Sequence, residues 1–316
     1  MGKVVVVGSF NVDHVWRCQA LPQPGETLSG EYHTGPGGKG FNQAIAARRA
    51  GADTHFVCAL GEDAGAQLAR SLAEADGLAL LAKTSDAPTG TAGIYVDAEG
   101  RNSIVIGPGA NGDLDTAFVE SHAHTLADAA VVLAQLENPG EAVLHALRIA
   151  RKAGVTTMLN PAPANAGTSA AQLACSDVIT PNETEFVALA GAHLGQSLQP
   201  DDVGALPDAD LHRLCRALLP GGSVVVTLGA AGCFVSHPPQ ARRGDSEAHY
   251  RVAAAPARAI DTTGAGDAFN GALAASLAAQ PDAAFAAHIG FANRYAARAT
   301  EARGAAAAMP RLTPQD

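Results

Sequence analysis

Between Glu62 and Leu228 the hydrophobic pattern changes period repeatedly, and that alternation restricts the fold more than any other feature of the chain. Helical patterns over 62–75, 115–126, 139–153 and 209–219 are interleaved with apolar runs over 130–136, 155–160, 177–180 and 223–228. Short runs of Val, Ile and Leu separated by helix-length segments pair as parallel strands joined by crossover helices. The expected fold is therefore α/β, with a mostly parallel central sheet and helices on both faces. The β-branched run Lys3 to Val7, closed by Gly8 and Ser9, reads as one more buried strand of that sheet. With 47% of its 316 residues apolar, and with no linker or internal repeat, the chain is expected to form one domain over 1–316. Two stretches stand outside the sheet. Residues 12–34 contain Pro22, Pro24 and Gly25 between alternating runs, and 91–107 reads as a hairpin turning at Asp97 to Gly100. Together they are expected to form a small β-strand lid, useful where a reaction must exclude water.

The formal charge of −10, with its basic residues scattered, sets the chain against nucleic acid and anionic membrane as partners. No apolar run reaches membrane-spanning length, and Val4 to Val7 is too short for a signal peptide core, so a cytoplasmic location is expected. The five cysteines, Cys18, Cys58, Cys175, Cys215 and Cys233, have no short spacing between them and read as reduced thiols.

Polar residues gather after the expected strands. Asn11 and Asp13 follow the first, Glu137, Asn160, and Asn182 with Glu185 follow later ones, and Thr227 with Gly229 and Gly232 follows the last. Any one of these is an ordinary loop residue, but ligands of open α/β sheets bind outside the carboxyl ends of the strands, so a shared crevice is the economical reading. Asp261 to Ala272, DTTGAGDAFNGA, adds chemistry to it. The bare backbone of Gly264, Ala265 and Gly266 before an Ala-rich helix offers free amides and a positive dipole end to a phosphate. The same field favours an ionised Asp267, which a phosphoryl transferase could use as general base. An ordinary helix entry with an acidic first turn is the alternative.

Gly35 to Asn42, GPGGKGFN, opens a second helix and matches G-x-G-x-x-G through Gly35, Gly37 and Gly40. Glu62 or Asp63 lies at the distance a dinucleotide fingerprint requires, which makes an NAD-dependent oxidoreductase the competing reading. Against it, Gly30 to Thr34 makes a poor buried strand, and Pro36 removes an amide from the loop. On the other reading Gly37 and Gly38 admit a sugar to the backbone while Lys39 and Asn42 supply hydrogen bonds. A sugar-binding module without catalysis is a third reading, disfavoured by the intact Asp267 turn.

These stretches together resemble the ribokinase/PfkB family of sugar kinases. The segment from Gly37 through Gly61, Glu62 and Asp63 is similar to the family's first signature, and Asp261 to Ala272 to its second. Gln135-Leu136-Glu137, Asn160-Pro161-Ala162-Pro163, Thr180 to Glu185 and Thr227-Leu228-Gly229 match in order and spacing, so the resemblance runs end to end. It implies a ribokinase-like fold and ATP-dependent transfer of the γ-phosphate to O5 of ribose, fructose and deoxyribose kinases sharing the framework. It implies that Asn11, Asp13, Gly38, Lys39, Asn42 and Glu137 hold the sugar, with Asp267 as base and Gly264, Ala265 and Gly266 as anion hole. By the same resemblance Asn182, Thr227, Gly229, Gly232, Gly266 and Asn293 contact ATP, and Glu185 places Mg²⁺ through water. A monovalent cation, usually K⁺, is implied at Asp261, Thr263, Ala299, Ala302, Gly304 and Ala308. Two lids clasping in a homodimer are implied as well. Phe41, where relatives often carry a small residue, and the polar loop 237–249 depart from the pattern near sugar and nucleotide respectively.

Overall fold

Four consecutive valines, Val4 to Val7, lie wholly out of solvent at the centre of the computed structural model, which describes residues 2–312. A strand buried on both faces needs apolar side chains at every position, and this one has them. The strands are β1 (Lys3–Val7), β2 (Asn11–Arg17), β3 (Glu31–Gly37), β4 (Asp53–Leu60), β5 (Ala79–Thr84), β6 (Gly90–Val96) and β7 (Asn102–Gly107). They continue with β8 (Val131–Ala134), β9 (Thr156–Leu159), β10 (Val178–Ile179), β11 (Ser223–Thr227), β12 (Cys233–Ser236) and β13 (His249–Val252). The large sheet runs β13-β12-β11-β10-β9-β8-β1-β4-β5 and is parallel from β5 to β11. Only β12 and β13 run antiparallel, at one edge.

Side chains alternate across this sheet into two cores. Val4 and Val6 pack with the helices Lys39–Arg49, Ala265–Ala279 and Phe285–Ala299, and Val5 and Val7 with Gly140–Lys152, Glu183–Leu194 and Asp208–Leu218. The predicted layers are therefore present. Because the chain proceeds from β1 through β4 to β5 on one side and from β8 to β11 on the other, the strand order reverses at β1 and β8. A crevice at the carboxyl ends of these strands is the topological consequence.

The small sheet runs β3-β2-β6-β7, with β2 parallel to β6 and both flanking pairs antiparallel. The lid is thus real, but β2 begins at Asn11 and includes Asp13, so these two residues lie on a lid strand and not in a loop. Gly35 and Gly37 also belong to the lid, paired in β3 with Asp13 and Asn11. A dinucleotide fold needs its glycines after a buried strand of the main sheet, and the NAD reading is corrected on that ground.

Other expectations shift locally. The helix expected over 115–126 is two pieces, Thr116–Ser121 and Ala123–Ala127, with His122 at the junction bonding the Phe118 carbonyl at 3.0 Å through Nδ1. β4 and β5 were not anticipated: Asp53, Thr54 and His55 make the first half of β4 polar, and Lys83 and Thr84 end β5. The polar loop 237–249 joins the antiparallel pair β12 and β13 and is exposed over most of 239–247, but it is anchored at its ends. His237 is buried, with Nδ1 2.9 Å from Ser223 Oγ and Nε2 3.0 Å from Asp245, and Asp245 also accepts from Tyr250 and from the Ala286 N–H. Phe41, 1% exposed, sets its ring against Phe10 and Phe56, so it acts on the crevice only through packing.

Candidate active site

The site is assembled from two helix starts facing the carboxyl edge of the sheet. The helix Lys39–Arg49 is capped by Gly38 at φ 85°, and a Cβ there would meet Asn11 N and Ser9 O at 2.8 Å, so only glycine fits. A Cβ at Gly37 would fall 2.2 Å from the Asp13 carboxylate. The immediate neighbours of both glycines are thus protein groups of the site itself. Glu137, three residues beyond the Ala134 that ends β8, accepts from Ser9 Oγ and from the Lys39 N–H at 3.0 Å through Oε2. A carboxylate at a helix N-terminus is favoured by the orphan amides and the dipole.

The second start is the helix Ala265–Ala279, capped by Gly264 at φ 75° with Ala305 within 2.9 Å of the Cβ it lacks. The Ala265 N–H turns inward to the Thr262 carbonyl at 3.1 Å, so the expected three-residue anion hole loses that amide. No acceptor among the described residues meets the N–H groups of Gly264 and Gly266, which remain for an anion. Asp267, one residue on, is 8% exposed. Its Oδ2 accepts from Asn42 Nδ2 and its Oδ1 from Gln43 Nε2, each at 2.9 Å. The two helix starts are joined by these bonds.

Four carboxylates and one ammonium share the crevice. Burial pushes the Asp267 carboxyl above the usual carboxylate range, against the opposing pull of Lys39, Gln43 and Asn42. Desolvation thus works against the ionised form that the helix start favours. Burial, then Glu137 and Asp267, push Asp13 up to about 7. Burial lowers Lys39, but Asp267, Glu137 and Glu185 more than offset this and hold its ammonium above the ordinary value. Glu185 is raised by burial as well.

Toward the β11 edge, Asn182 caps the helix Glu183–Leu194 in a reciprocal box with Glu185, whose Oε2 accepts from the Asn182 N–H at 2.9 Å. Asn182 bridges to Thr227 in parallel register, and Gly229 and Gly232 adopt φ 52° and 93° just beyond. A Cβ at Gly232 would meet the Val252 carbonyl at 2.0 Å, and Asn293 Nδ2 donates to the next carbonyl, Ala253, at 3.3 Å. Five of the six residues expected at a nucleotide therefore meet around one end of β11; the sixth, Gly266, lies in the first turn of the helix Ala265–Ala279. Behind the glycine turn, Asp261 accepts from the N–H groups of Thr263 and Gly304, each at 3.0 Å, and so ties 261–264 to the segment that follows the helix Phe285–Ala299.

Ser9, Gln43, Gln135, Asn111 and Asn270 were not singled out by their positions in the sequence. Asn111 spans Phe10 N and O, both at 3.0 Å, and donates to Asn11 Oδ1 at 2.8 Å, which leaves the amide N–H groups of Asn11 for a ligand. The one available signal was that each lies beside a glycine, a strand end or a residue already chosen.

A family model described as "pfkB family carbohydrate kinase" matches residues 1–312. The chain belongs to the pfkB family of carbohydrate kinases. Ribokinase of Mus musculus is 37% identical over 97% of this chain and 91% of its own. The bifunctional ribokinase/ribose-5-phosphate isomerase A of Fructilactobacillus sanfranciscensis is 39% identical over 88% of this chain, which spans about half (49%) of that relative's length. The solved ribokinase of Giardia lamblia superimposes with a TM-score of 0.86 at 28% identity, covering 98% of this chain and 96% of that one. The Arabidopsis thaliana ribokinase, solved complexed with ribose and ATP, gives 0.82 at 28% identity, covering 98% and 96%. This carbohydrate kinase is thus of the ribokinase type, in fold and over its whole described length.

Proposed function

We propose that this kinase transfers the γ-phosphate of ATP to O5 of D-ribose, with Asp267 as general base. The observation that carries the reading is the position of the Asp267 carboxylate, one residue past two unpaired amides at a helix start and fixed by two side chains of the opposite helix. As the primary hydroxyl attacks phosphorus, its proton passes to Asp267, the new O–P bond forms, and the bond to the leaving ADP breaks. The N–H groups of Gly264 and Gly266 receive charge that gathers on the phosphoryl oxygens. Asn11, Asp13, Gly38, Lys39, Asn42 and Glu137 line the sugar side. Asn182, Thr227, Gly229, Gly232 and Asn293 line the nucleotide side. The likeness to a ribokinase solved with ribose and ATP supports both assignments.

The residues present also fit two cations. The Oε2 of Glu185 is used by its capping box, leaving Oε1 for water on a Mg²⁺ ion, a hard cation that prefers oxygen and retains water. Asp261 and Thr263, with the carbonyls of Ala299 at the end of a helix and of Ala302, Gly304 and Ala308 after it, would supply an all-oxygen set suited to K⁺. When bound, the two ions supply positive charge around the phosphates and behind the anion hole. ADP release measured with ribose, deoxyribose and fructose, with and without K⁺, tests the reading. Ribose should give the highest kcat/KM and K⁺ should raise it; consumption of ATP with none of these sugars contradicts the assignment.

The lid supports a homodimer. Tyr32, Ile104, Val105 and Ile106 are exposed there, Val105 at 68%, and β7 is an open edge whose every residue is exposed. An apolar edge of this kind is a pairing surface unless it is covered. Sedimentation should find a dimer that Val105→Asp converts to monomer; a monomeric wild-type chain contradicts it.

A further inference from the structure

Asp267 is held by two neighbouring amides that differ in one respect: one is locked and the other is free to turn. Gln43 Nε2 donates to Asp267 Oδ1 at 2.9 Å and to Asn160 Oδ1 at 3.0 Å, while its Oε1 accepts from Gln135 Nε2. Both hydrogens and the oxygen of that amide are thus engaged. Asn160 in turn donates Nδ2 to the Thr180 carbonyl at 3.0 Å. A backbone carbonyl can only accept, and so can an ionised carboxylate, so the sense of every bond between Asp267 and Thr180 is fixed at both ends. Turning the Gln43 amide over would set oxygen against oxygen at Asp267 and at Asn160; the Gln135 contact could be kept only if that amide, whose Oε1 has no partner among the described residues, turned as well. Asn42 is different. Its Nδ2 donates to Asp267 Oδ2 at 2.9 Å, but its own Oδ1 is buried with no partner among the described residues. Turned over, it would present that oxygen to a proton on Oδ2 at no loss to any other group.

From this asymmetry we propose, resting on Asp267 as the base, that Gln43 is a positioning residue that reserves Oδ1 as an acceptor and directs the sugar's proton to Oδ2. The hydroxyl O–H bond breaks, its proton goes to Oδ2, and Asn42 turns to accept from the new carboxylic acid. A second set of bonds holds the same helix start. Thr180 Oγ1 donates to Asn270 Oδ1, and Asn270 Nδ2 donates to the Gly266 carbonyl at 2.9 Å, so strand end β10 fixes the glycine turn as the Gln43 chain fixes the base. Buried polar chains hold geometry in this way where their donors and acceptors are matched; here Gln135 Oε1, at the outer end of the Gln43 chain, has no partner among the described residues.

The test is the pH profile of kcat. A donor to the charged form keeps a carboxylate ionised to lower pH, so Gln43→Met should move the acid limb up by about one pH unit with the ribose KM little changed. Gln135→Met, which touches neither Asp267 nor any proposed ligand, should move it in the same direction by less. Asn42→Ala should also shift it less than Gln43→Met, because Asn42 serves both protonation states. The charged groups facing Asp267, namely Lys39, Glu137, Glu185 and Asp13, are untouched by the Gln43 and Gln135 variants. Thermal unfolding of each variant reports whether the fold is intact. An unmoved acid limb in both glutamine variants overturns the proposal, and so does an Asn42→Ala shift as large as that of Gln43→Met. If Asp267→Asn is inactive while these profiles stay put, only the positioning role of Gln43 fails; if Asp267→Asn turns over normally, the base assignment fails with it.

Discussion

Asp267→Asn should lower kcat by about 10²- to 10⁴-fold while ribose still binds, because it removes a positioned base and little else. The substitution is close to isosteric, and the surroundings can accommodate it. Gln43 is locked as a donor and would face the remaining oxygen, and Asn42, with its unpartnered Oδ1, can turn to accept from the new amide. One atom of the Asn42 amide is without a partner before and after the change, so stability should change little. Single-turnover phosphoryl transfer together with ribose binding by calorimetry separates the two effects. A variant that lost ribose binding and turnover equally would place Asp267 in sugar recognition and not in proton transfer.

Asp13→Asn should stabilise the protein in the absence of sugar, and only at higher pH. Burial first, then Glu137 and Asp267, raise Asp13 from 3.8 to about 7. Between those two values the native state holds a proton that the unfolded chain has released, so ν_N exceeds ν_U and unfolding free energy falls as pH rises. The stability is fully present below the unfolded pKa and is lost as pH climbs through the folded one. At ~1.4 kcal/mol per unit the full loss is about 4 kcal/mol, shared with the neighbouring carboxylates. Thermal unfolding near pH 8 should therefore show the variant more stable than the wild type, and near pH 4 the difference should vanish. The pocket is strained by its own like charges, a common cost of a binding site. A variant less stable than the wild type near pH 8 would mean that ionised Asp13 is held by favourable partners.

The layered fold was legible because β1 and β8 are apolar at nearly every position and β11 carries Val224 to Val226 at its centre, as strands buried on both faces require. β4 escaped notice for the opposite reason: His55 lies within it, and its ladder with β1 and β5 is set by tertiary pairing that no local pattern reports. The glycine turn and Asp267 stood out as a candidate site, since bare amides before a helix suit an anion, although an ordinary helix entry gives the same pattern. Gln43 was not, because its role depends on Asp267, 224 residues away, and on Asn160 and Gln135 at the ends of two strands. The engaged Ala265 amide was equally invisible. Whether a turn amide points outward depends on backbone angles, and here Thr262 takes it.

The arrangement of base, amides and acceptor is tested most directly by a crystal structure with ribose and a non-hydrolysable ATP analogue bound. The account places the ribose primary hydroxyl about 2.6–3.2 Å from an Asp267 oxygen, with the γ-phosphate against the Gly264 and Gly266 N–H groups. A ribose whose primary hydroxyl is turned away from Asp267, or a γ-phosphate seated elsewhere, would contradict it.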